Sequence, residues 1–192
     1  MKDSEFIRVD KVPMTKQEVR SVSIDRLELQ HARKFLDIGA GTGSVGIEAA
    51  VRYPNLHVLA IERNNSAVDA IKANCQKFDC SERVRIIPHE APCEISGKVD
   101  AAFIGGSGGN LVDIIDWAFS QLIPRGRLVL NFILQENLQE ALKHLESKNV
   151  EELVCTQLLV STMTNLGDGS YFKPNNPTFI LSCKKGVEHA TS

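Results

Sequence analysis

The chain carries no excess of charge of one sign. Its 22 Lys and Arg stand against 24 Asp and Glu, a net charge of −2, so no overall field holds nucleic acid or an acidic membrane. An anionic partner has to be met by a local patch. A C-x-x-C pair is also missing. The cysteines (Cys75, Cys80, Cys93, Cys155, Cys183) number five and lack the Cys/His spacing of a zinc site, so the expectation is reduced thiols, no metal and a cytoplasmic setting. No apolar stretch approaches the roughly 18–20 residues that span a bilayer, and the opening MKDSEFIRVDK has no apolar run behind its charges. The expectation is a chain neither secreted nor membrane-embedded.

What is present sits at the globular average. With 43% hydrophobic and 24% charged residues, disorder, collagen-like repeats and a coiled coil fail as whole-chain readings. The 192 residues suit one domain with a single core, and no second catalytic domain is expected within them.

From Arg33 onward short apolar runs alternate with amphipathic stretches, the pattern of βαβ units in a parallel sheet. Lys34–Gly39, Leu56–Glu62, Val84–His89, Val99–Gly105 and Gly126–Leu134 read as strands buried on both faces, with helices at Gly43–Arg52, Ser66–Phe78, Gly109–Leu122 and Glu136–Lys148 between and after them. Two further strands, Val150–Val160 and Thr178–Lys184, have no helix between them and are expected to pair antiparallel. Their connector, Ser161–Pro177, reads as a long loop for function or for an oligomer contact. Before the core, an extended piece through Pro13 leads to Thr15 as N-cap, with Glu18 three residues on, a capping box opening a helix to about Gln30.

The expected fold is thus α/β and Rossmann-like, a seven-stranded mostly parallel sheet with an antiparallel C-terminal hairpin and helices on both faces. Within one domain, 1–32 is an N-terminal extension and helix, 33–149 the βαβ core, 150–185 the antiparallel strands and long loop, and 186–192 a tail.

The most informative segment is Asp37-Ile38-Gly39-Ala40-Gly41-Thr42-Gly43, a strand running into a tight glycine turn and then a helix, which brings backbone close to an extended ligand. Gly41-x-Gly43-x-x-Gly46 also matches the dinucleotide fingerprint, with Glu62 placed to hold a ribose diol, so two cofactors compete. A pyrophosphate would be repelled by Asp37, whereas the sulfonium and ammonium of S-adenosylmethionine would be attracted by it, or Asp37 would brace the turn through its backbone N–H groups.

The pattern D-x-G-x-G-x-G, with an acidic residue closing the next strand, resembles the class I S-adenosylmethionine-dependent methyltransferases. The resemblance implies that Asp37, Gly39, Ala40, Gly41, Thr42 and Gly43 hold the cofactor, that Glu62 takes both adenosyl ribose hydroxyls, and that Ala91 offers its N–H to adenine. Phe6-Ile7, Pro13-Met14-Thr15-Lys16-x-Glu18-Val19-Arg20, Glu90-Ala91-Pro92, Ile104–Gly109 and Ile133-Leu134-x-Glu136 narrow it further. Together they look like the decarboxylating precorrin C-15 methyltransferases of cobalamin biosynthesis, over most of the chain.

That likeness implies methylation of C-15 of cobalt-precorrin-6B with loss of the ring C acetate carboxyl as carbon dioxide. It also implies a homotetramer and a cofactor site that includes Thr15. Gly105, Gly106, Ser107, Gly108 and Gly109 would form a flat wall for the macrocycle. Arg8, Lys11, Lys16, Arg20 and Lys173 are candidates for its carboxylates, Glu136 is a catalytic candidate or simply a helix start, and His89 and His57 are candidate proton carriers. Two alternatives stay open: a class I methyltransferase acting on tRNA or another small molecule, and a non-enzymatic S-adenosylmethionine-binding protein. The near-neutral charge favours neither tRNA nor any other nucleic acid.

Overall fold

A computed structural model describes residues 1–106 and 109–187. Ser107 and Gly108 of the glycine-rich turn and residues 188–192 of the tail lie outside the described residues. The strands, in chain order, are β1 (Lys34–Ile38), β2 (His57–Ile61), β3 (Val84–Ile87), β4 (Val99–Ile104), β5 (Leu122–Phe132), β6 (Val150–Leu158), β7 (Ser161–Leu166), β8 (Gly169–Pro174) and β9 (Thr178–Lys185). The helices are α1 (Gln17–Arg26), α2 (Ser44–Arg52), α3 (Asn65–Lys77), α4 (Leu111–Gln121) and α5 (Gln135–Glu146).

Seven strands form one sheet in the order β3-β2-β1-β4-β5-β9-β6. β1 to β5 pair in parallel, and β9 enters antiparallel between β5 and β6. Both faces are covered, which explains the near-continuous apolar strands. The alternation inside them sorts the core. Phe35, Val58, Ala101, Phe103 and Val129 face a layer containing Ile24, Leu27, Val45, Ile47 and Ile71. Leu36, Ile38, Leu59, Ala102, Ile104 and Leu128 face one containing Ile114, Ile115, Ala118, Ala141 and Leu145. One β-sheet residue shift would swap these sets, so the register is fixed by burial.

Two expectations about elements need correction. The Thr15 capping box does not form: α1 starts at Gln17 with Lys16 at the N-cap and no side-chain cap bond, while the Glu18 carboxylate accepts from Gln17 instead. The helix stops at Arg26, and Glu28 takes a left-handed φ of 50°. The Ser161–Pro177 connector is not a structureless loop. β7 and β8 pair antiparallel within it, from Ser161 opposite Pro174 to Leu166 opposite Gly169, and Gly167 supplies the positive φ of 58° at the turn.

Candidate cofactor and acceptor site

The site lies at the carboxyl ends of β1, β2 and β4, where an open α/β sheet leaves a crevice. Tight backbone approach makes the glycines of the first turn necessary. Gly39 has φ +68°, and a Cβ there would meet the Gly106 carbonyl oxygen at 2.8 Å; a Cβ on Gly41, at φ +57°, would meet the Pro13 carbonyl oxygen at 2.7 Å. The turn after β1 therefore touches the turn after β4 on one side and the N-terminal segment on the other. Asn74, buried in α3, fastens that segment: its amide accepts from the Ile7 N–H at 2.7 Å and donates to the Ile7 and Thr42 carbonyls, each at 3.0 Å. Nothing in the local sequence of α3 marked this role.

Four of the turn's N–H groups are already committed. Those of Gly39 and Ala40 donate to the Ile61 carbonyl, and that of Gly43 to the Ala40 carbonyl. The Gly41 N–H donates to Glu62 Oε2 at 2.9 Å, while Glu62 Oε1 accepts from the Asn64 N–H at 2.8 Å. The cradle of free amides that a pyrophosphate needs is absent among these groups, and a carboxylate stands in its place.

A cavity of about 300 Å³ opens beside this turn. Gly39, Ala40, Gly41, Glu62, Ala91, Gly105, Gly106, Thr15, Lys11 and His89 of the expected residues line it, joined by the apolar Ile38, Ile61, Ala67 and Ile114. Arg63 and Glu90, both lining residues, form an ion pair at the rim. His89 Nδ1 lies 2.8 Å from the Glu90 carbonyl oxygen.

Asp37, Thr42 and Gly43 are brought to the turn but lie behind it, buried. Asp37 Oδ2 accepts from the Gly46 N–H at 2.9 Å in the first turn of α2, so of the two roles foreseen for it the bracing one is realised. Burial pushes its carboxyl up to about 7, against the lowering effect of that hydrogen bond, with the nearby Glu62 charge adding to the rise. The carboxylate that lines the cavity is Glu62, not Asp37.

The other expected residues scatter. Arg20 is a correction: it is fully buried, its Nε donates to the equally buried Glu48 at 2.5 Å, and its remaining donors reach Asp3, the Thr15 carbonyl and the Met1 carbonyl. With every arm turned inward it holds the N-terminal segment and offers nothing to a substrate. Arg20 and the other cations around Glu48 hold that carboxyl below its usual range despite burial. Lys16 is half exposed and lies 3.8 Å from Asp3, outside the cavity lining. Arg8 and Lys173 are exposed, and His57 begins β2 at the opposite edge of the sheet. Glu136 sits exposed in the first turn of α5, lining neither this cavity nor the next. Gly109 has φ +96°, and a Cβ there would meet nothing within 4 Å among the described residues.

Across Gly105 and Gly106 lies a second cavity of about 230 Å³, lined also by Leu111, Asn131, Phe132, Ile133, Leu134 and Asn137. Asn131 and Asn137 were not foreseen; the former hides in the apolar run of β5 and the latter in a polar helix start. Among the described residues no group of His, Cys, Asp and Glu could hold a metal ion, and no helix is long and apolar enough to cross a membrane.

This strand order, with a glycine turn after β1 and a carboxylate ending β2, is the architecture of the class I methyltransferases. A family model described as the precorrin methyltransferase domain matches residues 6–185. The chain belongs to that family. It is 52% identical over 189 residues, 98% of each chain, to the cobalt-precorrin-6B C(15)-methyltransferase (decarboxylating) of Salmonella typhimurium. Among solved structures it resembles a precorrin-6y C5,15-methyltransferase from Geobacter metallireducens, at TM-score 0.86 and 36% identity over 96% of this chain and 97% of that one. It also resembles a precorrin 8W decarboxylase from Methanobacterium thermoautotrophicum, at TM-score 0.87 and 31% identity over 97% and 100%.

Proposed function

We propose that the protein is a decarboxylating C-methyltransferase that uses S-adenosylmethionine to methylate C-15 of cobalt-precorrin-6B as the ring C acetate loses carbon dioxide. The observation that carries the cofactor choice is the glycine turn, where the N–H groups of Gly39, Ala40, Gly41 and Gly43 are spent within the fold and Glu62 leads into the cavity. Such a surface suits a diol and a cation and disfavours a pyrophosphate.

Bound here, the cofactor would supply an electrophilic methyl on a sulfonium. Glu62 would take the ribose hydroxyls through the lone pairs not used by Gly41 and Asn64, Ile61, Ala67 and Ala91 would pack the adenine, and Thr15 and Lys11 would close the mouth. Methyl transfer is an in-line displacement, so the protein contributes mainly alignment and water exclusion. The N-terminal segment over Gly41 and the bare backbone at Gly106 supply both. Gly106 presents no Cβ, and one built there would meet nothing within 4 Å among the described residues, which suits a flat approach by a planar macrocycle.

The same reading makes 1–32 a strap over the cofactor, 33–149 the binding core, and 150–185 the antiparallel edge of one domain. It includes a small anionic substrate rather than nucleic acid, a cytoplasmic setting with five free thiols, and a homo-oligomer. Purified protein titrated calorimetrically with S-adenosylmethionine and with a nicotinamide dinucleotide, then incubated with the former and cobalt-precorrin-6B, tests it. Binding of the first cofactor alone, with methyl transfer to the tetrapyrrole, is the expected result. Binding of the dinucleotide, or methyl transfer only to other acceptors, would overturn it.

A further inference from the structure

The second cavity is notable for what its polar groups are. Among the described residues that line it none bears a charge, and the polar side chains are the carboxamides of Asn131 and Asn137. Asn131 is held in place. The Ser23 hydroxyl donates to the Val19 carbonyl at 2.9 Å, and its oxygen lies 3.0 Å from Asn131 Nδ2 and 3.2 Å from Asn131 Oδ1. Asn137 stands in the first turn of α5. Ile104, Leu111, Phe132 and Leu134 supply the apolar remainder.

Resting on the function proposed above, we infer that this cavity receives the acetate carboxylate that departs as carbon dioxide, with Asn131 and Asn137 as its positioning carboxamides. A carboxylate that stays in the product gains from an ion pair. One that must leave loses by it, because a cation would stabilise the charged ground state and not the neutral carbon dioxide. Neutral amides hold and orient the group without adding a cation that would favour its charged form. In the step itself the bond between the side-chain methylene carbon and the carboxylate carbon breaks, its electron pair passes into the conjugated ring system, and carbon dioxide leaves. The methylene takes up one proton to become methyl, while C-15 accepts the transferred methyl and gives up one proton. The carboxylate's negative charge and the sulfonium's positive charge cancel, so the sum needs no other reactant. The cavity shares Gly105 and Gly106 with the cofactor cavity, as a reaction joining the two events requires.

Asn137 is only partly buried, so it accepts a longer side chain, and the test is Asn137→Lys. Cobalt-precorrin-6B labelled in the acetate carboxyl is titrated for binding, and carbon dioxide release is followed in a single turnover, with S-adenosylmethionine affinity as the control for folding. The variant should bind substrate as tightly as the wild type or more so and release carbon dioxide about tenfold or more slowly. Release at the wild-type rate would overturn the assignment, whether or not binding tightens. Should Asn137→Lys fail to fold, Asn137→Leu decides: weaker substrate binding with an undiminished release rate once bound is expected, and unchanged binding contradicts the proposal. A wild-type protein that neither transfers methyl nor releases carbon dioxide would instead refute the function on which the inference rests.

Discussion

Glu62 does two jobs with one carboxylate: it ties down the Gly41 and Asn64 amides and presents its remaining lone pairs to the cavity. Glu62→Gln would set an NH2 group against one of those backbone donors and remove the charge that strengthens a diol contact, a loss on the order of 1–3 kcal/mol. Calorimetry should show S-adenosylmethionine binding weakened by roughly tenfold or more; an unchanged dissociation constant would remove Glu62 from the ribose. Asp37 allows a different measurement. Unfolded, its carboxyl releases a proton near 3.8, whereas in the fold it does so at about 7. Between those values the folded state holds more protons, so this residue's contribution to stability falls as pH rises from about 4 to about 7 and stays lost above that. Asn at this position still accepts from the Gly46 N–H and has no proton to lose. The wild type minus Asp37→Asn difference in unfolding free energy should therefore move against the wild type by a few kcal/mol between about pH 4 and about pH 8; a flat difference would mean that Asp37 is not buried as described. The sequence displayed Asp37 and Glu62 equally well as carboxylates, but not which of them faces the cavity. Asp37 is followed by a turn whose helix folds back over it, and Gly46, where a Cβ would come within 2.8 Å of Asp37 Oδ2, closes the gap. That is a tertiary fact with no local signature, as is the inward turn of Arg20 toward Glu48.

At the scale of elements, the βαβ units were legible because each strand is buried on both faces and each helix between them has one apolar stripe. The β7–β8 hairpin was not. Its strands pair only with each other and cover no core, so their residues show no alternation that a core would impose; Met163, Leu166 and Phe172 are 64%, 70% and 68% exposed, and Leu159 beside them is 73% exposed. Met163 and Phe172 are cross-strand partners, which concentrates their apolar surface at one place. Exposed apolar surface of that kind commonly marks an interface, and a projecting hairpin suits exchange between identical subunits. Light scattering should give the wild type a mass that is a multiple of 21.2 kDa, reduced in a Met163→Glu, Phe172→Glu double variant. A wild-type monomer, or a double variant with unaltered mass, would exclude the hairpin from any such contact.

Across the whole molecule, two neighbouring cavities meet at glycine. The sheet's strand order brings the turns after β1 and β4 side by side, with Gly39 close against Gly106, and the two cavities share Gly105 and Gly106. The order of strands and the motifs at their carboxyl ends could be anticipated from sequence, because parallel βαβ units allow few topologies. The neutral cavity could not, since Asn131 and Asn137 come from separate elements and line one cavity only when β5 and α5 are assembled. On the proposed function, one active site couples a methyl gained to a carboxyl lost. A single turnover with methyl-labelled S-adenosylmethionine and acetate-labelled cobalt-precorrin-6B, counting label transferred to the tetrapyrrole and label released as carbon dioxide, tests it most directly. Equal amounts of both, formed on the same enzyme, are predicted; methyl transfer with the labelled carboxyl fully retained would contradict it.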